Sequence, residues 1–206
     1  TNSECPINLH IADAVMLENT NQFANNGKEY VRLTANSSNV VGRTINLKNI
    51  SESYLITGQI TSTAGFTINP GVRIAMDSRA EIIIDGTAGN ASFTAVGTQA
   101  QPIVISAMHN SAGVWNSIRF RSSSSDNNRI EYCTISGGGL TASGSMEGMV
   151  SVISDMGSSH INIRNSNIMN SAATGIYIQA NNSEYNSDIL TANVFNNNAK
   201  GNVYFE

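Results

Sequence analysis

Charged residues are scarce in this sequence, because Asp, Glu, Lys and Arg together make up 13% of its 206 residues, about half the usual share. Lysine occurs three times, and the net charge is -4 at pH 7. A protein that holds a phosphate backbone needs a basic surface, so we expect no nucleic acid as a partner. The sequence also lacks any apolar run of about 18 residues, the length that a membrane-spanning helix needs. We therefore expect no membrane span.

Proline is rare as well, with three residues, and no long segment has apolar residues at helical spacing. Short hydrogen-bonding side chains are abundant instead, since 28 Asn, 26 Ser and 15 Thr make up a third of the chain. Between clusters of Asn, Ser and Gly lie short segments rich in Ile and Val, a pattern typical of strands separated by turns. The apolar fraction of 40% argues against disorder. The composition predicts an all-β protein.

Apolar residues recur along the second half of the chain at nearly constant spacing. The first members of four apolar pairs are 32, 26 and 27 residues apart, and the pairs are Ile118/Phe120, Val150/Val152, Ile176/Ile178 and Val203/Phe205. A second set follows the first three pairs by 12 or 13 residues and consists of Ile130, Ile163 and Ile189. A third set follows the second by 5 residues each time and consists of Ile135, Ile168 and Val194.

Three short strands per repeat cannot bury their apolar face alone, so successive repeats must stack, with each strand in parallel beside its copy. The spacing predicts a single-stranded right-handed parallel β-helix with three strands per turn of about 26 residues. The additional residues of one repeat predict a loop around 140–148. An antiparallel sandwich also has many short strands, but it gives no reason for the fixed offsets.

A resemblance to a known family rests on several short segments, which are Gly71-Val72, Ala95 to Thr98, Pro102 to Ser106, Trp115, Ile118 to Phe120, Asn128 to Tyr132 and Gly137 to Gly139. They resemble the right-handed parallel β-helix repeat proteins of bacterial surfaces and secretions. The resemblance covers residues 54–206, and we expect residues 1–53 to form an N-terminal arm or cap. It implies an extracellular or cell-surface protein. The start of the sequence has no charged n-region followed by an apolar h-region, so we expect that any signal peptide has already been removed. The family includes glycan lyases, hydrolases and adhesins, so the resemblance does not decide the activity.

Catalytic β-helices that act on acidic glycans use clustered carboxylates beside Arg or Lys. The nearest acidic group here is Asp77, Glu81 and Asp85, and strand alternation places Glu81 and Asp85 on one side. Such a group more often forms a solvated rim, and the three histidines have no Cys or carboxylate at zinc-ligand spacing. We assign no catalytic residue, metal or cofactor. A polysaccharide lyase or glycoside hydrolase acting on an acidic glycan is the alternative.

Residues next to the inward set point outwards and stack between turns about 4.8 Å apart. Two such columns carry residues suited to a sugar ring and its hydroxyl groups. We call them the glycan face, which consists of Arg119, Arg121, Tyr177, Gln179 and Tyr204. An exposed ladder of this kind also simply suits β-structure, since Tyr has a high strand propensity.

The two ends of the predicted helix carry a second candidate function. The last strand has inward Val203 and Phe205, so either the chain is a fragment of a longer helix or this edge is covered by another chain. Near the start, Ile7, Leu9 and Ile11 alternate like a strand, which caps its own helix or adds to another subunit. We call these five residues the assembly edge. Contact between the two ends would be head-to-tail and would build a filament unless it closes.

The two cysteines differ in their surroundings. Cys133 aligns with Ser166 and Ala192, and this column of small residues predicts a buried core thiol. A bridge between Cys5 and Cys133 is permitted but not required in an exported protein. Taken together, the sequence favours an extracellular, non-catalytic β-helix domain with a structural, self-assembling or adhesive, glycan-binding role.

Overall fold

The structure, a computed structural model, describes residues 5–21, 23, 30–89, 91–109, 111–140 and 148–206. Its regular elements in this part of the chain are 21 short β-strands and two 3-10 helices, Ile11–Met16 and Ala180–Asn182. Neither helix is long and apolar enough to cross a membrane. The loop predicted around 140–148 falls mostly on residues 141–147, which lie outside the described ranges.

The strands follow one another through three parallel sheets. Sheet 1 contains β1 (Ile7–His10), β2 (Tyr30–Thr34), β5 (Ser53–Ile56), β8 (Arg73–Met76), β11 (Ile103–Ala107), β14 (Cys133–Ser136), β17 (Asn167–Met169) and β20 (Val194–Asn196). Sheet 2 contains β3 (Val40–Val41), β6 (Gln59–Ser62), β9 (Glu81–Asp85), β12 (Ile118–Arg121), β15 (Gly148–Ile153), β18 (Thr174–Ile178) and β21 (Val203–Phe205). Sheet 3 contains β4 (Ile45–Leu47), β7 (Gly65–Ile68), β10 (Ser92–Val96), β13 (Arg129–Glu131), β16 (Ser159–Arg164) and β19 (Ser183–Tyr185).

From β2 onwards each strand pairs in parallel with the strand three places later in the chain, as β2 does with β5 and β18 with β21. The chain therefore coils as a right-handed parallel β-helix with three strands per turn, as the sequence predicts. Right-handed crossovers are the ones that strand twist favours. Alternating side chains point into the coil and form one continuous apolar core.

The register confirms the inward columns that the spacing predicts. Ile118 lies beside Val150, Val150 beside Ile176, and Ile176 beside Val203. The first three of these residues are fully buried. The second and third columns are confirmed where Ile130 pairs with Ile163 and Ile135 with Ile168.

The prediction is wrong for Val194, the last member of the third column, whereas Ile189, the last member of the second, is a core residue as predicted but does not lie on a strand. Ile168 pairs with Phe195, so Val194 faces outwards and is 60% exposed. Ile189 is buried, but it lies in a turn after β19, whose Tyr185 is the partner of Ile161. The turn between β19 and β20 takes a different path from earlier corners. A shift of one residue along a strand moves each side chain to the other face.

The sheets also run through the segment that the sequence predicts as an arm or cap. Strand β1 pairs with β2 of its own chain, and the 3-10 helix that follows β1 packs against β4. Ile11, Ala12 and Ala14 of this helix are buried in the core. Parallel pairing is continuous across residue 53, as β2 joins β5 and β4 joins β7. The 3-10 helix Ile11–Met16 therefore closes one end of the β-helix.

Four asparagines lie at sharp corners of the coil. Asn39, Asn165, Asn170 and Asn197 adopt positive φ angles between 52° and 58°. Asn enters this left-handed region more readily than most other residues, since its short side chain hydrogen-bonds to nearby backbone. The corners can therefore turn sharply at positions other than glycine.

Cys133 is the core thiol that the sequence predicts, with 1% of its surface exposed. Both Cys133 and Cys5 are free. The Cys133 Sγ lies 3.3 Å from the carbonyl oxygens of Ala95 and Glu131. Burial raises the pKa of the Cys133 thiol from its ordinary value of 9.0 to about 12.

The raised pKa predicts a loss of stability at high pH. Between pH 9 and pH 12 the folded protein keeps the Cys133 proton that the unfolded chain releases, so the free energy of unfolding falls as the pH rises. Urea unfolding at pH 8 and pH 10.5 should show a drop that is larger in the wild type than in Cys133→Ala by about 2 kcal/mol. Equal drops in the two proteins would contradict the burial of the thiol.

Candidate functional site

The outer face of sheet 2 carries the residues of the predicted glycan face. Strand pairing places one column of outward side chains along this sheet, and from β6 to β21 it consists of Thr61, Ile83, Arg119, Ser151, Tyr177 and Tyr204. Arg121 lies beside Asp85 on one strand and Ile153 on the next, in a second column. Both arginines therefore stand on β12 and point away from the core.

Arg119 is held by a buried carboxylate. Its Nη2 lies 2.8 Å from Oε1 of Glu81, which is 5% exposed. The Ser117 hydroxyl donates to the same oxygen over 2.9 Å. The Nε of Arg119 is buried and has no hydrogen-bond partner among the described residues. Glu81 thus orients the guanidinium group of Arg119, while the Nε donor of Arg119 stays unused.

Arg121 lies between two carboxylates without a close hydrogen bond to either. Its Nη1 is 3.8 Å from Oδ2 of Asp85, and its Nε is 3.8 Å from Oδ2 of Asp155. Hydrogen bonds between these atom types are normally 2.7 to 3.2 Å long. The third nitrogen, Nη2, lies 3.1 Å from the sulfur of Met156. Nε and Nη1 of Arg121 are therefore positioned near acceptors that they do not fully engage.

A groove of about 320 Å³ opens beside the two arginines. It spans β6, β9 and β12 and the end of β15, and its lining residues are Gln59, Thr61, Ile83, Asp85, Arg119, Arg121, Ile153 and Asp155. The volume is at the lower end of the range for small-molecule sites, about 300 to 1,000 Å³. The lining combines two apolar side chains with donors and acceptors.

The other members of the glycan face lie towards the last turns of the coil. Tyr177 is 3% exposed, and its ring stacks on Tyr204 with centroids 5.8 Å apart. The Tyr177 hydroxyl donates to the Glu206 carboxylate, which leaves Tyr204 as the accessible ring, 53% exposed. Gln179 accepts a hydrogen bond from the Ser154 backbone N–H over 2.9 Å.

The structure thus brings Arg119 and Arg121 together in a groove, while neither tyrosine nor Gln179 lines it. Glycan binding by the five residues as a set stays a prediction. Sequence reasoning missed Gln59, Thr61 and Asp155. The first two belong to turns of irregular length, because Ile60 pairs with Ile82 after 22 residues and Ile82 with Ile118 after 36. Asp155 follows β15 and reaches the groove through a corner that no repeat predicts.

The predicted acidic group is dispersed among local partners. Glu81 contacts Arg119 and Ser117, as described above, whereas Asp85 accepts from the backbone N–H and hydroxyl of Thr87 over 3.1 and 2.7 Å. Asp77 accepts from the backbone N–H of Ser78. In the described ranges no three His, Cys, Asp or Glu residues are grouped to hold a metal ion. The lyase or hydrolase alternative stays a prediction.

Comparison with protein-family models, with curated proteins and with solved structures finds no match to this chain. The class of the protein therefore rests on its own strand pairing. Three parallel sheets that the chain visits in turn define a parallel β-helix protein.

Proposed function

We propose that this protein is a structural β-helix domain outside the cell that associates head to tail with copies of itself. The observation that carries the proposal is the apolar face at the β19–β21 end of the coil. We call this face the open end. The opposite end, formed by β1 and the 3-10 helix Ile11–Met16, we call the capped end.

Core positions lose their cover at the open end. Ile161, Ile176 and Ile178 are fully buried, and the residues that follow them in register by one turn are Tyr185, Val203 and Phe205. Of these, Tyr185 is 36% and Phe205 39% exposed. Their rings lie 5.1 Å apart and form an apolar surface. An unpaired strand edge beside exposed apolar area is a surface that another chain can cover.

Strands β19, β20 and β21 are the edge strands of the three sheets at the open end. At the capped end, β1 is the edge strand of sheet 1, and β2 pairs with one side of it. A second copy stacked head to tail would bring its β1 beside β20 in the same sheet and in the parallel sense of all other pairs. The contact needs no change in strand direction.

The capped end also offers apolar side chains to such a contact. In the 3-10 helix, Val15 is 42% and Met16 77% exposed, while Ile11 and Ala14 face the core. Val40, on the edge strand of sheet 2, is 41% exposed. Apolar area on both ends favours burial of one against the other. A contact between two different surfaces is heterologous, so it extends into a filament unless the rotation closes a ring.

Two variants, each blocked at one end, test the proposal. Tyr185→Lys with Phe205→Lys places charge at the open end, and Val15→Lys with Met16→Lys places it on the cap, in each case at exposed positions. In sedimentation velocity the wild type should form assemblies larger than dimers as concentration rises, and each variant alone should stay monomeric. An equal mixture of the two variants should form dimers and nothing larger, because the unblocked open end of one variant can bind only the unblocked capped end of the other.

Met156→Lys, at a position 66% exposed away from both ends, is the matched control and should assemble like the wild type. A wild type that stays monomeric at high concentration contradicts the proposal. So does a mixture that stays monomeric, or a dimer formed by the cap variant alone, since that dimer would join two open ends.

A further inference from the structure

We infer that the groove beside Arg119 and Arg121 binds an uncharged polyhydroxyl ligand, a short neutral saccharide. This site lies on the outer face of sheet 2, and the argument for it does not depend on association of the two ends. It differs from the predicted glycan face, because its other polar residues come from β6, β9 and the corner after β15.

The charges of the groove favour a neutral ligand. Two arginines face three carboxylates, Glu81, Asp85 and Asp155, each within 4 Å of a guanidinium nitrogen. An anionic ligand would compete with carboxylates already in place, and a cationic ligand would meet the two guanidinium groups. A hydroxyl group avoids both costs, since it carries no charge and can donate and accept at once.

The spacing around Arg121 suits a hydroxyl in particular. Its nitrogens are 3.8 Å from both Asp85 and Asp155, too far for a strong hydrogen bond yet close enough for both groups to contact one bound oxygen. A hydroxyl beside this gap accepts from the guanidinium and donates to the carboxylate. Each such bond is charge-assisted and therefore stronger than a bond between neutral groups.

The remaining lining adds a neutral hydrogen-bonding edge and an apolar floor. Gln59 donates from Nε2 to the Thr61 hydroxyl over 3.0 Å, so the pair presents an amide oxygen and a hydroxyl that are already oriented. Ile83 and Ile153 contribute the apolar part. Sugar rings have C–H faces that bury against apolar side chains while their rims form hydrogen bonds. An aliphatic floor with a polar rim is complementary to such a ring.

The test titrates the full chain with neutral trisaccharides, namely cellotriose, xylotriose, mannotriose, maltotriose and chitotriose, and with trigalacturonate as the anionic counterpart. Isothermal titration calorimetry should detect binding of at least one neutral trisaccharide, with about tenfold weaker binding of trigalacturonate. Arg121→Gln and Asp155→Asn should each weaken binding of the neutral ligand about tenfold, because each replaces a charged partner of the shared hydroxyl with a shorter or neutral amide that forms a weaker hydrogen bond.

Arg129→Gln is the matched control, because Arg129 is an exposed arginine paired with Glu131 on sheet 3, outside the groove. It should leave binding unchanged, and circular dichroism with thermal unfolding should show that all three variants keep the fold. The inference is overturned if none of the five neutral trisaccharides binds at millimolar concentration. It is also overturned if trigalacturonate binds more tightly than they do, or if a neutral ligand binds the Arg121 and Asp155 variants as well as it binds the wild type.

Discussion

Replacement of Ile105 by Asp is expected to lower the free energy of unfolding by about 4 kcal/mol or more, since it places an unpaired charge in apolar packing. Ile105 is fully buried on β11, between Ile74 on one neighbouring strand and Ile135 on the other. Among the described core residues none carries a positive charge that could pair with a carboxylate at this position. Urea unfolding followed by circular dichroism measures the change.

Val104→Asp is the matched control on the same strand. Val104 points outwards and lies beside Arg73 on the neighbouring strand, so its variant should change stability by less than about 0.5 kcal/mol. Together the two substitutions test the alternation of β11 at adjacent positions. Similar losses in both variants would mean that the strand does not present one face to the core.

Loss of the buried amide of Asn128 is expected to have the second largest effect. Asn128 is fully buried, and its Oδ1 accepts from the Phe93 backbone N–H over 2.8 Å. Its Nδ2 donates to the carbonyl oxygens of Ser123 and His160 over 2.9 and 3.0 Å. Phe93, Asn128 and His160 belong to three successive turns, so one side chain ties three layers of the coil together.

Asn128→Ala should therefore lower the free energy of unfolding by about 3 to 5 kcal/mol, because the Phe93 N–H and the His160 carbonyl both lose their hydrogen bond, and an unsatisfied buried group costs about 1 to 3 kcal/mol. Asn127→Ala is the control, since Asn127 is the exposed neighbour. Hydrogen exchange gives a second measurement: the Phe93 amide should lose protection in the Asn128 variant and keep it in the control. Retained protection of the Phe93 amide together with unchanged stability would contradict a stabilising role for the hydrogen bonds of Asn128.

The last turn shows where sequence periodicity stops being sufficient. The constant offset of 5 residues predicts Val194 as a core residue, but Phe195 takes that place. Asn186 explains part of the difference, because its side chain pairs with the backbone N–H and carbonyl of Ile163 in place of a continued strand. The corner that follows is not a copy of earlier corners. The number of residues in this corner therefore does not predict which side chains of β20 point into the core.

The groove shows the same limit for the candidate site. Arg119 and Arg121 could be placed on one outward face from the alternation of β12 alone. The position of Asp155 could not be predicted in this way, because Asp155 lies in the corner that follows β15 and approaches Arg121 from there. The sequence does not predict the burial of Tyr177 either, since this burial depends on the neighbouring ring of Tyr204 and on Glu206.

By itself the sequence determined the all-β class, the three strands per turn and most of the core, because period-two alternation and a repeated spacing are local properties of the chain. Only the tertiary structure decided how the corners run, that Asp155 in a corner approaches Arg121, and that Tyr185 lies beside Phe205 at the open end. Those features depend on contacts between residues about 20 to 36 positions apart, whose partners are fixed when the turns stack.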